Sequence, residues 1–142
     1  MSTRPASERF EDLAGQIPKG QPFFMVNLLS FHPLAVYAEG VAPKGATGQE
    51  AYFQGYIPAF DAVAARLGVT DVKPVWAGEA HGLAAGPAEE AWDLIAIVRY
   101  PDFQTFIRIV RSEDYGRLAD PYRQAALRDW RLIASTPMAL PE

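Results

Sequence analysis

Two histidines, His32 and His81, are the only imidazole groups of the chain and so its only candidates for a histidine base. His81 follows Glu79 by two residues in a predicted strand, where alternate side chains lie on one face. This carboxylate–imidazole pair predicts a catalytic proton-transfer centre, or else a polar strand end that meets solvent. The pattern offers no third ligand, so we predict neither a metal nor another cofactor.

Two further polar residues, Asn27 and Arg99, interrupt segments that are otherwise typical of buried strands. A buried amide needs partners for its donors and its acceptor, so Asn27 is predicted either to orient a substrate carbonyl or to bond a neighbouring loop. Arg99 is predicted either to bind an anionic ligand or to pair with a carboxylate, and we favour the ion pair.

Arg108, Arg111 and Tyr115 fall on one side of a helical path, with Ser112 beside them. One interpretation is an anion-binding site, in which Arg111 and Tyr115 contact the ligand next to the free backbone donors of a new helix start. The alternative is a solvated helix face followed by an ordinary helix cap at Ser112.

Aromatic side chains are concentrated around the predicted sheet, and most of them are expected in the core. A cleft between sheet and helices lined by the others would suit a planar or aromatic small molecule, and we include Tyr56 and Trp76 among its binding residues. The aromatic set is Tyr52, Tyr56, Phe60, Trp76, Trp92, Phe103 and Phe106.

Composition excludes several classes of protein. The chain has no cysteine, which rules out disulfide frameworks, cysteine nucleophiles and zinc–thiolate clusters. Its formal net charge of −4 argues against a nucleic-acid partner. The apolar runs are shorter than the ~20 residues of a membrane helix, and the first residues do not resemble a secretion signal. We therefore expect a cytoplasmic protein that binds neither nucleic acid nor membrane.

The first half of the chain shows periodic segments separated by Pro and Gly. The predicted elements are a helix over Ser7–Gln16 with Phe10, Leu13 and Ile17 on one side, a strand over Pro22–Phe31, a long loop over His32–Ala46 and a helix over Thr47–Leu67. Thr47 and Glu50 form a capping-box pattern, and Pro58 predicts a kink near Gln54–Pro58. The predicted inner stripe of that helix is Phe53, Tyr56, Ile57, Phe60, Val63, Ala64 and Leu67.

The second half predicts a β-hairpin, a two-part helix and a closing strand. The hairpin strands are Val72–Gly82 and Ala91–Tyr100, and Trp130–Thr136 is the closing strand. Asp102 is predicted to cap the first helical part, and Ser112 to cap a continuation that Pro121 interrupts.

This order of elements, β-α-β-β-α-β after the first helix, is typical of an α+β ferredoxin-like sandwich with an antiparallel sheet. We predict one domain over 1–142, with 1–20 as an N-terminal helical extension and 22–136 as the core. The first and third strands are apolar on both faces, which predicts that something covers the face without helices. The simplest cover is a second copy of the sheet, giving a homodimer through the open face.

The segment FQTFIRIVRSEDYGRLADPYRQAA, after a strand ending in Arg-Tyr-Pro, resembles the DUF1330 family of the dimeric α+β barrel superfamily. The resemblance covers Phe23–Ser135 and is best over Leu94–Arg123, through Pro101, Ser112, Tyr115 and Arg123. The loop over His32–Ala46 is longer than the usual step from strand to helix in that family. A single glycine stands at Leu67-Gly68 where the family commonly has a pair.

The resemblance implies a dimeric α+β barrel, whose superfamily includes cofactor-independent oxygenases, isomerases and lyases, stress-responsive proteins and ligand-sensing modules. Two hypotheses follow, because fold does not decide function. In the first, a cofactor-independent enzyme acts on a hydrophobic or aromatic compound, with His81 or Glu79 as base and Asn27, Tyr56 and Arg99 positioning oxygen atoms. In the second, a non-catalytic or stress-associated dimeric module holds a small-molecule ligand in the same cleft.

Overall fold

The computed structural model describes residues 9–141, and its centre is a sheet of four antiparallel strands. The strands are β1 (Phe23–Phe31), β2 (Lys73–Glu79), β3 (Leu94–Tyr100) and β4 (Leu127–Ser135). Their spatial order is β2-β3-β1-β4, so β1 pairs with both β3 and β4 in the antiparallel sense. With a helical connection after β1 and another after β3, this confirms the predicted ferredoxin-like α+β fold.

Four helical segments of the described chain accompany the sheet. They are α1 (Phe10–Ala14), α2 (48–66, including a π-helical segment Ala51–Tyr56), α3 (Phe103–Val110) and α4 (115–126, beginning with a π-helical segment Tyr115–Ala119). The described residues contain no helix that is long and apolar enough to cross a membrane.

The predicted helix caps at Thr47, Asp102 and Ser112 are present. The Thr47 hydroxyl accepts from the Glu50 amide at 3.0 Å, and the Glu50 carboxylate accepts from the Thr47 amide at 3.0 Å, which completes the capping box. Asp102 caps α3 by accepting from the Thr105 amide at 2.7 Å. Side-chain acceptors therefore satisfy backbone N–H groups that a helix start leaves without partners.

Both π-helical segments end just upstream of a proline. Pro58 and Pro121 each follow the last π residue by two positions, and neither can donate the backbone bond of an α-helix. The preceding amides bond five residues back instead, from Ile57 to Tyr52 and from Asp120 to Tyr115. The predicted kink before Pro58 is therefore a widened helical turn.

The two faces of the sheet have different surroundings. The helices cover the face that carries Phe23, Met25 and Leu29, each at most 3% exposed. On the opposite face Val26 lies between Ile97 on β3 and Ile133 on β4. Because no helix packs there among the described residues, Ile133 remains 51% exposed. We call these the covered face and the open face.

The core beneath the helices consists of two clusters. The larger cluster includes Met25 and the smaller one includes Leu29, and these residues stand on either side of Asn27 on the covered face. Tyr56 packs against both clusters. The apolar core is thus interrupted where β1 places an amide between two apolar side chains.

Several predicted boundaries are wrong. The first helix spans only Phe10–Ala14, and its predicted start at Ser7 lies outside the described residues. β4 begins at Leu127, three residues before Trp130, because α4 passes directly into the strand. Phe53 is 43% exposed, and its neighbour Tyr52 is buried in its place. The wide π turn changes the helical phase on which the predicted inner stripe depended.

Candidate functional site

A cavity of about 750 Å³ lies between the covered face and the helices, at the interruption between the two core clusters. Small-molecule sites typically have volumes of ~300–1,000 Å³ and mainly apolar walls. Asn27 lies on the strand side, while α1 contributes Phe10 and Leu13 at another wall. Aromatic side chains that line the cavity include Tyr52, Tyr56, Phe60, Tyr100, Tyr115 and Trp130.

The two π-helical segments bring their tyrosines together in this cavity. The hydroxyls of Tyr56 from α2 and Tyr115 from α4 are 3.0 Å apart and share a hydrogen bond. Their rings meet edge to face with centroids 6.2 Å apart, and Tyr52 stacks on Tyr56 at 5.1 Å. The wall therefore offers both flat aromatic surface and phenolic hydroxyl groups.

Burial keeps these phenols in the neutral form. It raises the pKa of Tyr52, Tyr56 and Tyr100 above the ordinary range of a phenol. Burial also raises the pKa of Tyr115, although the nearby Arg123 guanidinium and the bond to Tyr56 oppose the shift. At neutral pH the hydroxyls consequently serve as hydrogen-bond donors and acceptors without charge.

Arg123 on α4 places a cation at the cavity. Its Nε donates to Asp120 Oδ1 at 2.9 Å, and its guanidinium carbon lies 4.7 Å from the centre of the Trp130 ring. Burial alone would lower the pKa of Arg123, but Tyr115 and Asp120 outweigh that effect and raise it. Because the Asp120 bond uses Nε, the N–H groups on the two terminal nitrogens are not used by this carboxylate.

The amide nitrogen of Asn27 is used within the sheet. Its Nδ2 donates to the carbonyls of Met25 at 3.0 Å and Ala96 at 3.2 Å. Rotating the amide by half a turn would place its oxygen against two carbonyl oxygens, so the orientation is fixed. Only Oδ1 remains for a ligand, and Asn27 can therefore accept from a ligand but cannot polarise its carbonyl.

The predicted catalytic pair lies away from the cavity. β2 ends at Glu79, so His81 falls in the segment between β2 and β3, and both residues are exposed. Neither side chain lines the cavity. Within residues 9–141 no cluster of three or more histidine, aspartate or glutamate residues could hold a metal ion.

Arg99 and Trp76 lie on the open face. Arg99 pairs in register with Phe24 and Lys73, and Trp76 pairs with Ile97. Within residues 9–141 Arg99 forms no ion pair, so the favoured carboxylate partner is not found there. The four residues Asn27, Glu79, His81 and Arg99 thus do not converge on one cavity.

Arg111 does not line the cavity and instead contacts α1. It bonds Glu11 at 2.9 Å and lies 4.9 Å from the centre of the Phe10 ring, tying the end of α3 to α1. Arg108 donates to the Leu67 carbonyl at the end of α2. Of the predicted arginine–tyrosine group, Tyr115 alone turns inward and lines the cavity.

Comparison with known proteins identifies relatives among solved structures. No family model and no curated protein matches the chain. A crystal structure of RPA0582, a protein of unknown function from Rhodopseudomonas palustris, is 33% identical with a TM-score of 0.74, covering 98% of each chain. The structure of methylated RPA0582 is 32% identical with a TM-score of 0.77, covering 99% of this chain and 97% of that one. The chain belongs to the RPA0582 family.

Membership of the RPA0582 family establishes shared ancestry and fold but does not identify a ligand. The resemblance to DUF1330 stays a prediction. Three predicted ligand-binding residues, Asn27, Tyr56 and Tyr115, do line one cavity.

The cavity also contains residues that the sequence-based site omitted, chiefly Arg123, Asp120 and Tyr52. One pattern could have found two of its walls: a tyrosine stands six residues before a proline in both Tyr52–Pro58 and Tyr115–Pro121. The three-residue spacing of Asp120 and Arg123 marks an ion pair on one helix face, but not the direction in which it points.

Proposed function

We propose that this protein binds a small hydrophobic or aromatic molecule in the cavity between the covered face and the helices. The observation that supports this function is the aromatic-walled cavity of about 750 Å³ where the apolar core is interrupted at Asn27. A core built only for stability would normally be close-packed. Such a cavity with a few polar groups is typical of a small-molecule site.

The geometry favours ligand binding without catalysis over a cofactor-independent oxygenase, isomerase or lyase. Neither histidine lines the cavity, and the Asp120 carboxylate is engaged by Arg123 at 2.9 Å and Gln124 at 2.6 Å. Tyr56 and Tyr115 are protonated at neutral pH, and burial raises their pKa further, so neither phenol is available as a base there. The described cavity walls therefore offer no carboxylate or imidazole that is free of other partners to act as a general base.

We also propose that two copies of the chain associate through their open faces, as in a dimeric α+β barrel. Val26, Ile97 and Ile133 form an apolar strip across the sheet, and the Trp76 side chain is 52% exposed beside it. Lys73 and Arg99 stand as register partners at one end of this strip. An apolar centre with a polar rim is the usual anatomy of a protein interface.

Adjacent residues of β4 allow a direct test of the cavity. Leu132 lines it from the covered face, whereas Ile133 lies on the open face. We expect the neutral fluorescent probe N-phenylnaphthylamine to bind the wild-type protein saturably, with one site per chain. Leu132→Trp should fill the cavity and weaken binding about tenfold or more, whereas Ile133→Trp should change it by less than about twofold.

Equal binding by wild type and Leu132→Trp would contradict the proposed site. Binding should also raise the unfolding temperature of the wild-type protein, since a ligand that binds the folded state stabilises it. A natural compound that binds should keep the same mass after incubation with the protein, as mass spectrometry would show. Recovery of a converted product would favour the enzymatic alternative.

A further inference from the structure

The net charge of the side chains that line the cavity is opposite in sign to the net charge of the whole chain. Among the described residues, those that line it are Arg9, Asp120 and Arg123, so the lining is net positive, whereas the whole chain has a net charge of −4. The four tyrosines of the lining add no negative charge, since a phenol is neutral at neutral pH and burial raises the pKa of each one further. A positive cavity in a negative chain favours an anionic ligand.

Of the two arginines among the described lining residues, Arg123 is the less exposed. Its side chain is 20% exposed, with Asp120 at one edge of the guanidinium plane and the Trp130 ring beneath it. These contacts fix the plane while leaving the terminal nitrogens unused by Asp120. A planar guanidinium with two donors side by side matches the two oxygens of a carboxylate.

Building on the proposed binding function, we infer that the ligand is a planar apolar molecule with a single carboxylate, which Arg123 binds with the Tyr115 hydroxyl beside it. The aromatic rings of Tyr52, Tyr56 and Phe60 would contact the apolar body. One negative charge suits this site better than two, since Asp120 stands 2.9 Å from Arg123 and would repel a dianion.

A second arginine–aspartate pair on the same helical run provides a matched control. Arg117 bonds Asp114 at 2.9 Å with the same three-residue spacing as Arg123 and Asp120. The Arg117 side chain is 57% exposed and does not line the cavity. Arg117→Gln and Arg123→Gln therefore make the same chemical change outside and inside the proposed site.

The test is isothermal titration of naphthoate and its neutral isostere naphthamide into the 142-residue chain at neutral pH. We expect wild type and Arg117→Gln to prefer naphthoate by at least about tenfold, because hydrogen bonds to charged groups are the stronger ones. Arg123→Gln should remove this preference and leave naphthamide affinity within about twofold. Arg123→Lys should keep part of it, since the charge remains without the planar fork.

The outcomes separate this inference from the proposed function. If naphthoate and naphthamide bind wild type equally, and Leu132→Trp weakens both, the cavity binds ligands and the carboxylate inference is wrong. An undiminished preference in a folded Arg123→Gln protein would also overturn the inference. If neither compound binds, or Leu132→Trp leaves both affinities unchanged, the proposed function fails together with the inference.

Discussion

The covered and open faces belong to the same four strands, yet each face gives a polar residue a different role. On the covered face, Asn27 interrupts the core and lies at a cavity with buried phenols and Arg123. On the open face, Arg99 stands beside Lys73 at the end of an apolar strip. A polar residue within an apolar strand can therefore be assigned to a ligand site only after the face that carries its side chain is known.

The two faces also differ in how they exclude water. Helices bury Met25 and Leu29 on the covered face, whereas Ile133 on the open face is 51% exposed. We attribute the apolar strip of the open face to a partner sheet that the proposed homodimer would supply. Substitutions on the open face should therefore change association, and substitutions on the covered face should change ligand binding.

The largest expected effect comes from placing a charge in the centre of the open face. Ile97→Asp should raise the dimer dissociation constant at least about a hundredfold, because association would bury an unpaired carboxylate. Analytical ultracentrifugation over a range of concentrations measures the change. Gln104→Asp, an exposed position on α3, is the control and should leave the dimer intact. A monomeric wild-type protein would refute the proposed partner sheet.

A smaller effect is expected for the buried tyrosines of the helices that pack on the covered face. Because burial raises the pKa of Tyr56 and Tyr115 in the folded state, the unfolded chain loses these protons first as the pH rises. Their contribution to stability should be complete below about pH 10 and should decline above it, by roughly 1.4 kcal/mol per pH unit for each tyrosine. Urea unfolding from neutral to alkaline pH measures this decline.

Two variants test whether a cavity tyrosine causes this alkaline loss of stability. Tyr56→Phe should reduce the slope of unfolding free energy against pH by the contribution of one tyrosine. It should also lower the free energy of unfolding by about 1 kcal/mol at neutral pH, because the hydrogen bond to Tyr115 is lost. Phe60→Leu alters the same wall without removing a titrating group, so its slope should match the wild type. An unchanged slope in Tyr56→Phe would show that this phenol does not titrate as described.

The smallest effect is expected at Arg99. Since it lies on the open face, Arg99→Ala should change the affinity for N-phenylnaphthylamine or naphthoate by less than about twofold. The same titrations applied to Arg123→Gln provide the contrast. A tenfold loss in Arg99→Ala would mean that the two faces do not act as separate functional surfaces.

The sequence was sufficient to predict most of the elements because their signals are local. Hydrophobic periodicity located the strands, and Thr47, Glu50 and Asp102 marked helix starts through side-chain acceptors. The predicted boundaries are wrong where one element follows another without a turn, as at Leu127, where α4 runs directly into β4. The prolines were recognised, but their effect was a widened turn that rotated the helix beyond Phe53.

The site was predicted only in part, because alternation within one strand does not relate its faces to those of another. Asn27 and Arg99 both occupy odd positions, and each was recognised as polar within an apolar strand. Asn27 pairs with Ala96, so the side chain of Arg99, three residues further along β3, points to the opposite face. The pairing register thus separated two residues that the sequence-based hypothesis had combined.

By itself the sequence determined the order of elements, the caps, the apolar strands and the inventory of groups available for chemistry. Tertiary structure alone decided that Tyr56 meets Tyr115, that Arg123 turns inward while Arg117 turns outward, and that Glu79 and His81 remain outside the cavity. Periodicity and capping act between residues a few positions apart, whereas strand register and helix packing join positions far apart in the chain. Those long-range contacts determine which side chains share a cavity.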